Sequence, residues 1–85
     1  MTAWAILLLP GARRDLRDLD HAVSQRILKR LRAIEVDPLR AMKRLTGSKD
    51  FSLRVGDHRV ICLPDVEKRI LIVRRIGHRS VVYGP

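Results

Sequence analysis

The sequence predicts an α+β domain: an N-terminal strand, then an antiparallel helical hairpin packed on a small, mainly antiparallel β-sheet. Three observations carry this. A short apolar run, Trp4–Leu9, stops at Pro10. Apolar residues then recur at helical spacing from Ala12 to Ile34. Beyond Gly47-Ser48 the chain turns to β-branched runs of period two, separated by Gly, Asp and Pro.

Thr2–Leu9 reads as a buried first strand, and Pro10 closes it and can open a helix at its first position. Ala12, Leu16 and Leu19 form the apolar stripe of a first helix, with Arg13, Arg14, Asp15 and Arg17 off the stripe. Asp18 or Asp20 can cap a second helix. Val23, Ile27, Leu31 and Ile34 line one side of it, and Arg26, Lys29, Arg30 and Arg32 lie largely on the other. Asp37-Pro38 ends the helical stretch, since the residue before a proline avoids the α region. Residues 38–50 read as a basic connector with one possible helical turn through Leu39, Met42 and Leu45. Strands follow at about 51–55, 58–63, 69–76 and 79–83, with turns at Gly56-Asp57 and Pro64-Asp65 and a break at Gly77. Connections this short make neighbouring strands antiparallel.

The chain has 85 residues, the size of one domain with a modest core. Eighteen Lys and Arg against nine Asp and Glu give a formal charge of +9. Residues 1–37 account for +2 and residues 38–85 for +7, so the positive field belongs to the C-terminal half. A chain this basic is expected to meet an anionic partner. The single Cys62 rules out an internal disulfide, which points to a reducing, cytoplasmic setting, and its apolar run predicts a buried thiol. Trp4–Leu9 is too short to span a bilayer and lacks the flanks of a signal peptide, so no membrane partner is expected.

Chemistry-bearing patterns are few. His21, His58 and His78 are scattered beside one cysteine, so no metal or other cofactor is expected. Gly56 and Gly77 are isolated turn glycines, not a phosphate loop, and no serine sits in a nucleophile motif. What remains is arginine set into strands: Arg54, Arg59, Arg74, Arg75 and Arg79. Alternation puts Phe51, Leu53 and Val55 on one face of their strand and Ser52 and Arg54 on the other. In the last predicted strand Arg79, Val81 and Tyr83 share a face. Arg54, Arg59 and Arg79 stand where an apolar residue would pack as well, which points to phosphate contact. Arg26, Lys29, Arg30, Arg32 and Lys68 fit a merely solvated surface. With Trp4, Phe51 and Tyr83 as the only aromatics, and Trp4 and Phe51 assigned to the core, no base-stacking sheet is expected.

Several segments in order resemble a RelE toxin of the RelE/ParE superfamily. "ARRDLRDL" at 12–19 and a helix running into "DP" are similar to the family's opening, and "FSLRVGDHRVI" at 51–61 and "RIGHRSVVY" at 75–83 are the sharpest matches. The resemblance covers essentially the whole chain. It implies a ribosome-dependent endoribonuclease that cuts mRNA in the A site, with a RelB-like antitoxin and the ribosome as partners. It also implies roles: Arg54 on the mRNA backbone, Arg59 on the phosphate in the transition state, Arg79 in leaving-group protonation or charge stabilisation, and Tyr83 orienting or stacking on the substrate. The chain departs from the family at Ser52, where some members have lysine, and at His58 and Cys62, where tyrosines are common. The missing lysine removes one proton acceptor and leaves Tyr83, His58, His78 or a ribosomal group for that task. Arg26, Lys29 and Arg30 on the helix, with Arg40, Lys43, Arg44 and Lys49 in the connector, are the expected contacts to ribosomal RNA. A ParE-like, non-catalytic inhibitor of DNA gyrase and a toxin decayed to plain RNA binding are the alternative readings.

Overall fold

A computed structural model describes residues 3–83. In chain order the elements are β1 (Ala5–Leu8), α1 (Pro10–Asp18), α2 (His21–Ala33), α3 (Pro38–Ala41), β2 (Lys43–Arg44), β3 (Phe51–Val55), β4 (His58–Asp65) and β5 (Ile70–His78). The five strands form one sheet in the order β1-β5-β4-β3-β2. β3, β4 and β5 make the expected antiparallel meander, and β1 joins its far side parallel to β5, with Ala5 opposite Ile70 and Leu8 opposite Val73.

The helical hairpin covers one face of this sheet. Ile27, Leu31 and Ile34 from α2 and the turn after it, with Ala12 of α1, pack on Leu53, Val55, Val60, Cys62, Leu71, Val73 and Ile76. Of these, helical spacing and strand alternation single out Ala12, Ile27, Leu31, Ile34, Leu53 and Val55, and removing the whole apolar surface from water is the main force holding the layers together. The Ser24 hydroxyl donates to the Leu16 carbonyl at 2.8 Å and ties the second helix to the end of the first. Pro10 opens α1 and the buried Pro38 opens α3, where a missing N–H costs nothing. Asp20 is the N-cap residue of α2, without a side-chain capping bond.

Four expectations need correction. The first strand is an edge strand, not a buried one: its residues alternate between exposed and half-buried, and Leu7 is 45% exposed. Trp4, just before it, is buried, while Thr2 lies outside the described residues. The connector holds a further short strand, β2, beside its helical turn. β4 runs through Pro64 to Asp65 and the turn falls at 66–69. Proline is tolerated there because β3 begins opposite Cys62, so the position where an N–H would point carries no partner strand. Finally, there is no strand at 79–83. β5 continues through Gly77 to His78, and the chain then turns, with the Val81 and Val82 N–H groups donating to the His78 carbonyl.

Candidate functional site: an arginine-lined sheet face

The face of the sheet away from the helices is built by the β3–β4 hairpin. Its two-residue turn is Gly56-Asp57, with Gly56 at φ 60° and Asp57 at ordinary negative φ, the pattern of a type II′ turn. That turn fixes the register. Val55 pairs with His58, and Arg54 with Arg59. Counting from the turn, Arg54 and Arg59 form a non-hydrogen-bonded pair, the kind in which side chains approach most closely. Both are rooted on the open face, because their neighbours Leu53, Val55 and Val60 are in the core. Like charges directly opposite each other are unfavourable, so the fold keeps this pair against an electrostatic cost.

The remaining arginines separate by their partners. In β5 a bulge leaves Arg74 as the extra residue, since Ile61 pairs with Arg75 and Cys62 with Val73. Arg74 is ion-paired with Asp50 at 3.1 Å, and Arg75 with Asp15 at 2.8 Å. These two are structural. Among the described residues Arg54 and Arg79 make no side-chain hydrogen bond or ion pair, and Arg59 donates only to the carbonyls of Gly56 and His58, at 2.9 and 3.0 Å. A guanidinium held by neutral carbonyls keeps its full charge for an anion.

Arg79 and Tyr83 reach the site by the C-terminal turn rather than by a strand. The Arg79 N–H donates to the Asp57 carbonyl at 2.8 Å, which sets Arg79 beside the hairpin tip. His78 braces the turn: its Nδ1 accepts the Ser80 N–H at 3.1 Å and lies 2.8 Å from the Ser80 hydroxyl. Val82 then lies against Gly77, so close that a β-carbon on Gly77 would sit 3.4 Å from that of Val82. The Tyr83 hydroxyl ends 2.7 Å from the hydroxyl of Ser52. Ser52 and its register partner Ile61 are each 8% exposed although they face away from the helical core. The turn thus lies across the open face.

The second basic set divides. Lys43 in β2 is the register partner of Ser52 and therefore shares the open face. Arg44 donates to the Ser48 carbonyl at 3.2 Å and, with Lys49, lines a surface depression over the 45–49 loop. Arg40 lines a separate cavity beside Trp4, Val36 and Val66, next to the β4–β5 turn. The eight residues of β4 separate that turn from the β3–β4 tip, roughly 25 Å of extended chain. Arg26, Lys29 and Arg30 sit instead on α2 beside the hairpin tip, where a β-carbon on Gly56 would lie 3.4 Å from the Arg26 Nη1.

His58 and His78 are register partners whose rings meet edge-on, 5.6 Å between centroids. They share the face of Val60 and Ile76, the helix side, so neither looks onto the arginine face. Cys62 is fully buried; burial and, secondarily, Asp50 push its thiol up to about 12, so it stays protonated and unreactive at neutral pH. Phe51 is only half-buried and lies outside the main core cluster. Among the described residues no group of three or more His, Cys, Asp or Glu converges on a metal position, and no helix is long and apolar enough to cross a membrane.

The residue that sequence reasoning missed is Asp15. Helical spacing puts it off the apolar stripe, yet its carboxylate accepts the Ile76 N–H at 2.9 Å and hydrogen bonds from the Arg75 guanidinium. β1 ends at Leu8, opposite Val73, so the next stretch of β5 has a bare edge, and α1 supplies the acceptor. Only a tertiary contact across sixty residues reveals this.

A helical hairpin on a five-stranded mixed sheet is the fold of a RelE/ParE-type toxin. The chain belongs to the ParE toxin family of type II toxin–antitoxin systems, whose family model matches residues 6–83. Among solved structures it is similar to the RelBE2 toxin–antitoxin complex of Mycobacterium tuberculosis, at 26% identity and TM-score 0.83 over 94% of this chain and 95% of that one. It shares its fold with the RelE–RelB complex of Pyrococcus horikoshii, at 18% identity and TM-score 0.79, covering 95% of this chain and 100% of that one. The intact RelBE complex of E. coli matches at 20% identity and TM-score 0.78, over 89% of this chain and 96% of that one. A search of curated proteins gave no match.

Proposed function

We propose that this toxin is a ribosome-dependent endoribonuclease that cuts mRNA in the A site without a metal ion. The observation that carries the reading is the Arg54–Arg59 pair, unneutralised on the open face, with Arg79 at the same hairpin tip and the Tyr83 hydroxyl brought over the face by the C-terminal turn. In the reaction the mRNA 2′-oxygen attacks the adjacent phosphorus. The bond to the 5′-oxygen breaks, leaving a 2′,3′-cyclic phosphate and a 5′-hydroxyl. Negative charge gathers on the phosphoryl oxygens, and preorganised guanidiniums stabilise it, about 3–4 kcal/mol for one well-aimed donor. Arginine does not accept the 2′-hydroxyl proton, because its pKa lies above about 12. Since both strand histidines face the helices, the acceptor is Tyr83 or a ribosomal group, and Arg79 supplies charge or a proton at the leaving oxygen.

A RelB-like antitoxin is the proposed protein partner, in keeping with the toxin–antitoxin complexes among the structural neighbours. The +9 charge suits ribosomal RNA as the platform that holds the codon. The cytoplasm is the proposed setting.

The test is end-mapping of translated mRNA after induction. Wild-type protein should give codon-phased cuts, and Arg59→Ala or Arg79→Ala should lower the rate by roughly 10²–10³. Unphased or absent cuts sink the proposal. A second reading, a gyrase inhibitor in the ParE manner, draws on the ParE description of the matched family and on Ser52 in place of lysine. Inhibition of gyrase supercoiling without RNA cleavage would establish it instead.

A further inference from the structure

Beside the open face, between α2 and the free edge of β3, lies a groove of about 390 Å³. Arg26, Lys29, Arg30 and Arg54 give it its charge, and Ala33, Val55 and Gly56 contribute its small and apolar surface. Among the described residues no carboxylate lines it. None of the four cations has a hydrogen-bond or ion-pair partner among the described residues, unlike Arg74 and Arg75, which are both neutralised. Arg26 and Arg30 are also four residues apart on one helix, a spacing at which like charges repel. All four side chains are exposed, so their mutual repulsion is modest, but together they make a local positive potential that attracts an anion.

The groove is continuous with the open face through one residue. Arg54 lines the groove and is the register partner of Arg59. Pairing of β3 with β2 stops at Ser52, so the next stretch of β3 is a bare edge. The alternation of antiparallel hydrogen bonds turns the Arg54 N–H outward at that edge, a further donor. A chain of anionic groups can therefore pass from Arg59, over the edge at Arg54, and into the groove without leaving positive surface.

The geometry points to this groove as a second anion subsite that carries the flanking phosphodiester backbone of the single-stranded RNA whose reacting phosphate lies on the open face. The inference rests on the endoribonuclease reading and assigns Lys29 and Arg30 to the substrate strand rather than to the ribosome's own RNA. RNA fits better than an acidic protein segment because the cations continue directly from the reacting-phosphate pair. A backbone with one charge per nucleotide matches such a track, and guanidiniums can also stack on unpaired bases. Lys29 and Arg30 lie outside the set that touches the reacting phosphate, so they bind ground state and transition state alike and act on KM rather than kcat.

The test uses full-length protein and a short, 2′-O-methylated oligouridylate that cannot be cut, read by fluorescence anisotropy across a salt series. Lys29→Gln/Arg30→Gln should bind it roughly tenfold more weakly, with a salt slope shallower by about 0.7 for each phosphate contact removed. On programmed ribosomes the same variant should raise the apparent KM for cleavage and leave kcat unchanged. Both side chains are exposed on α2, and melting by circular dichroism should match wild type. Unchanged oligonucleotide affinity and slope overturn the inference. So does a loss confined to vacant ribosomes, which assigns the groove to ribosomal RNA, or a loss confined to polyglutamate, which assigns it to an acidic protein. If Arg59→Ala abolishes cleavage while Lys29→Gln/Arg30→Gln changes nothing, the groove assignment fails and the enzyme reading stands. If wild type binds the oligonucleotide through the groove but never cuts, the enzyme reading fails and an RNA groove remains.

Discussion

One carboxylate on α1 serves the bare edge of β5. Asp15 accepts the N–H of Ile76, itself 3% exposed, and pairs with Arg75. Burial works to raise its pKa. The Arg75 hydrogen bond, the Ile76 N–H and the charges of Arg75 and Arg14 outweigh burial and hold it below the ordinary 3.8. Arg75 is 63% exposed, so the ion pair itself is worth little and the backbone N–H matters more. Asp15→Ala should cost about 1–3 kcal/mol in urea unfolding at neutral pH, because it orphans that donor. A depressed folded pKa means the ionised carboxylate contributes its full stability above the unfolded value and loses it as pH falls through the lower folded value. The stability gap between wild type and Asp15→Asn should therefore be largest near neutrality and close on acidification below the ordinary 3.8; a gap that persists at lower pH would show that charge plays no part.

The hairpin of β3 and β4 is the element on which the site depends. Its register decides that Arg54 and Arg59 oppose each other, and Gly56 decides the register. At φ 60° any other residue bears the left-handed penalty, and a β-carbon would press toward the end of the Arg26 side chain. That side chain can swing away, so the backbone term dominates, and Gly56→Ala should lose about 1–2 kcal/mol by thermal melting. RNA cleavage should fall by more than the lost folded fraction explains, because the arginine pair is displaced as a unit. The core beneath is less tolerant. Leu53 is fully buried between β4 and the α2 layer, and Leu53→Ala should cost about 2–5 kcal/mol, read from the urea midpoint.

At the scale of the whole molecule, cations stand at both ends of β4. Arg54, Arg59, Arg79 and the α2 cations gather at the β3–β4 tip, and Arg40 lies by the β4–β5 turn. Arg40→Gln should accordingly weaken association with ribosomes while leaving affinity and salt slope for a short single-stranded oligonucleotide unchanged; an equal loss on both would place Arg40 on the substrate path. Much of this was legible in the chain. Period-3.6 stripes over Ala12–Ile34 and period-two runs after Phe51 report local geometry, and both helices of the hairpin and the central meander follow from them. The resemblance at "GDHR" and "GHR" pointed to Arg59 and Arg79. Tyr83 reaches the open face by a turn at 79–83 rather than by strand alternation. Which segments are helix or strand, which face of each is apolar, and that arginine is set on the other face are legible along the chain, because each depends on near neighbours. That β1 docks parallel on β5, that Asp15 closes the edge beyond it, that Arg74 and Arg75 are neutralised while Arg54 is not among the described residues, and that α2 forms a cationic groove with the edge of β3 emerge from the folded structure alone. Those outcomes depend on pairing between segments tens of residues apart, and local periodicity carries no information about which distant partner a strand edge or a charge will meet.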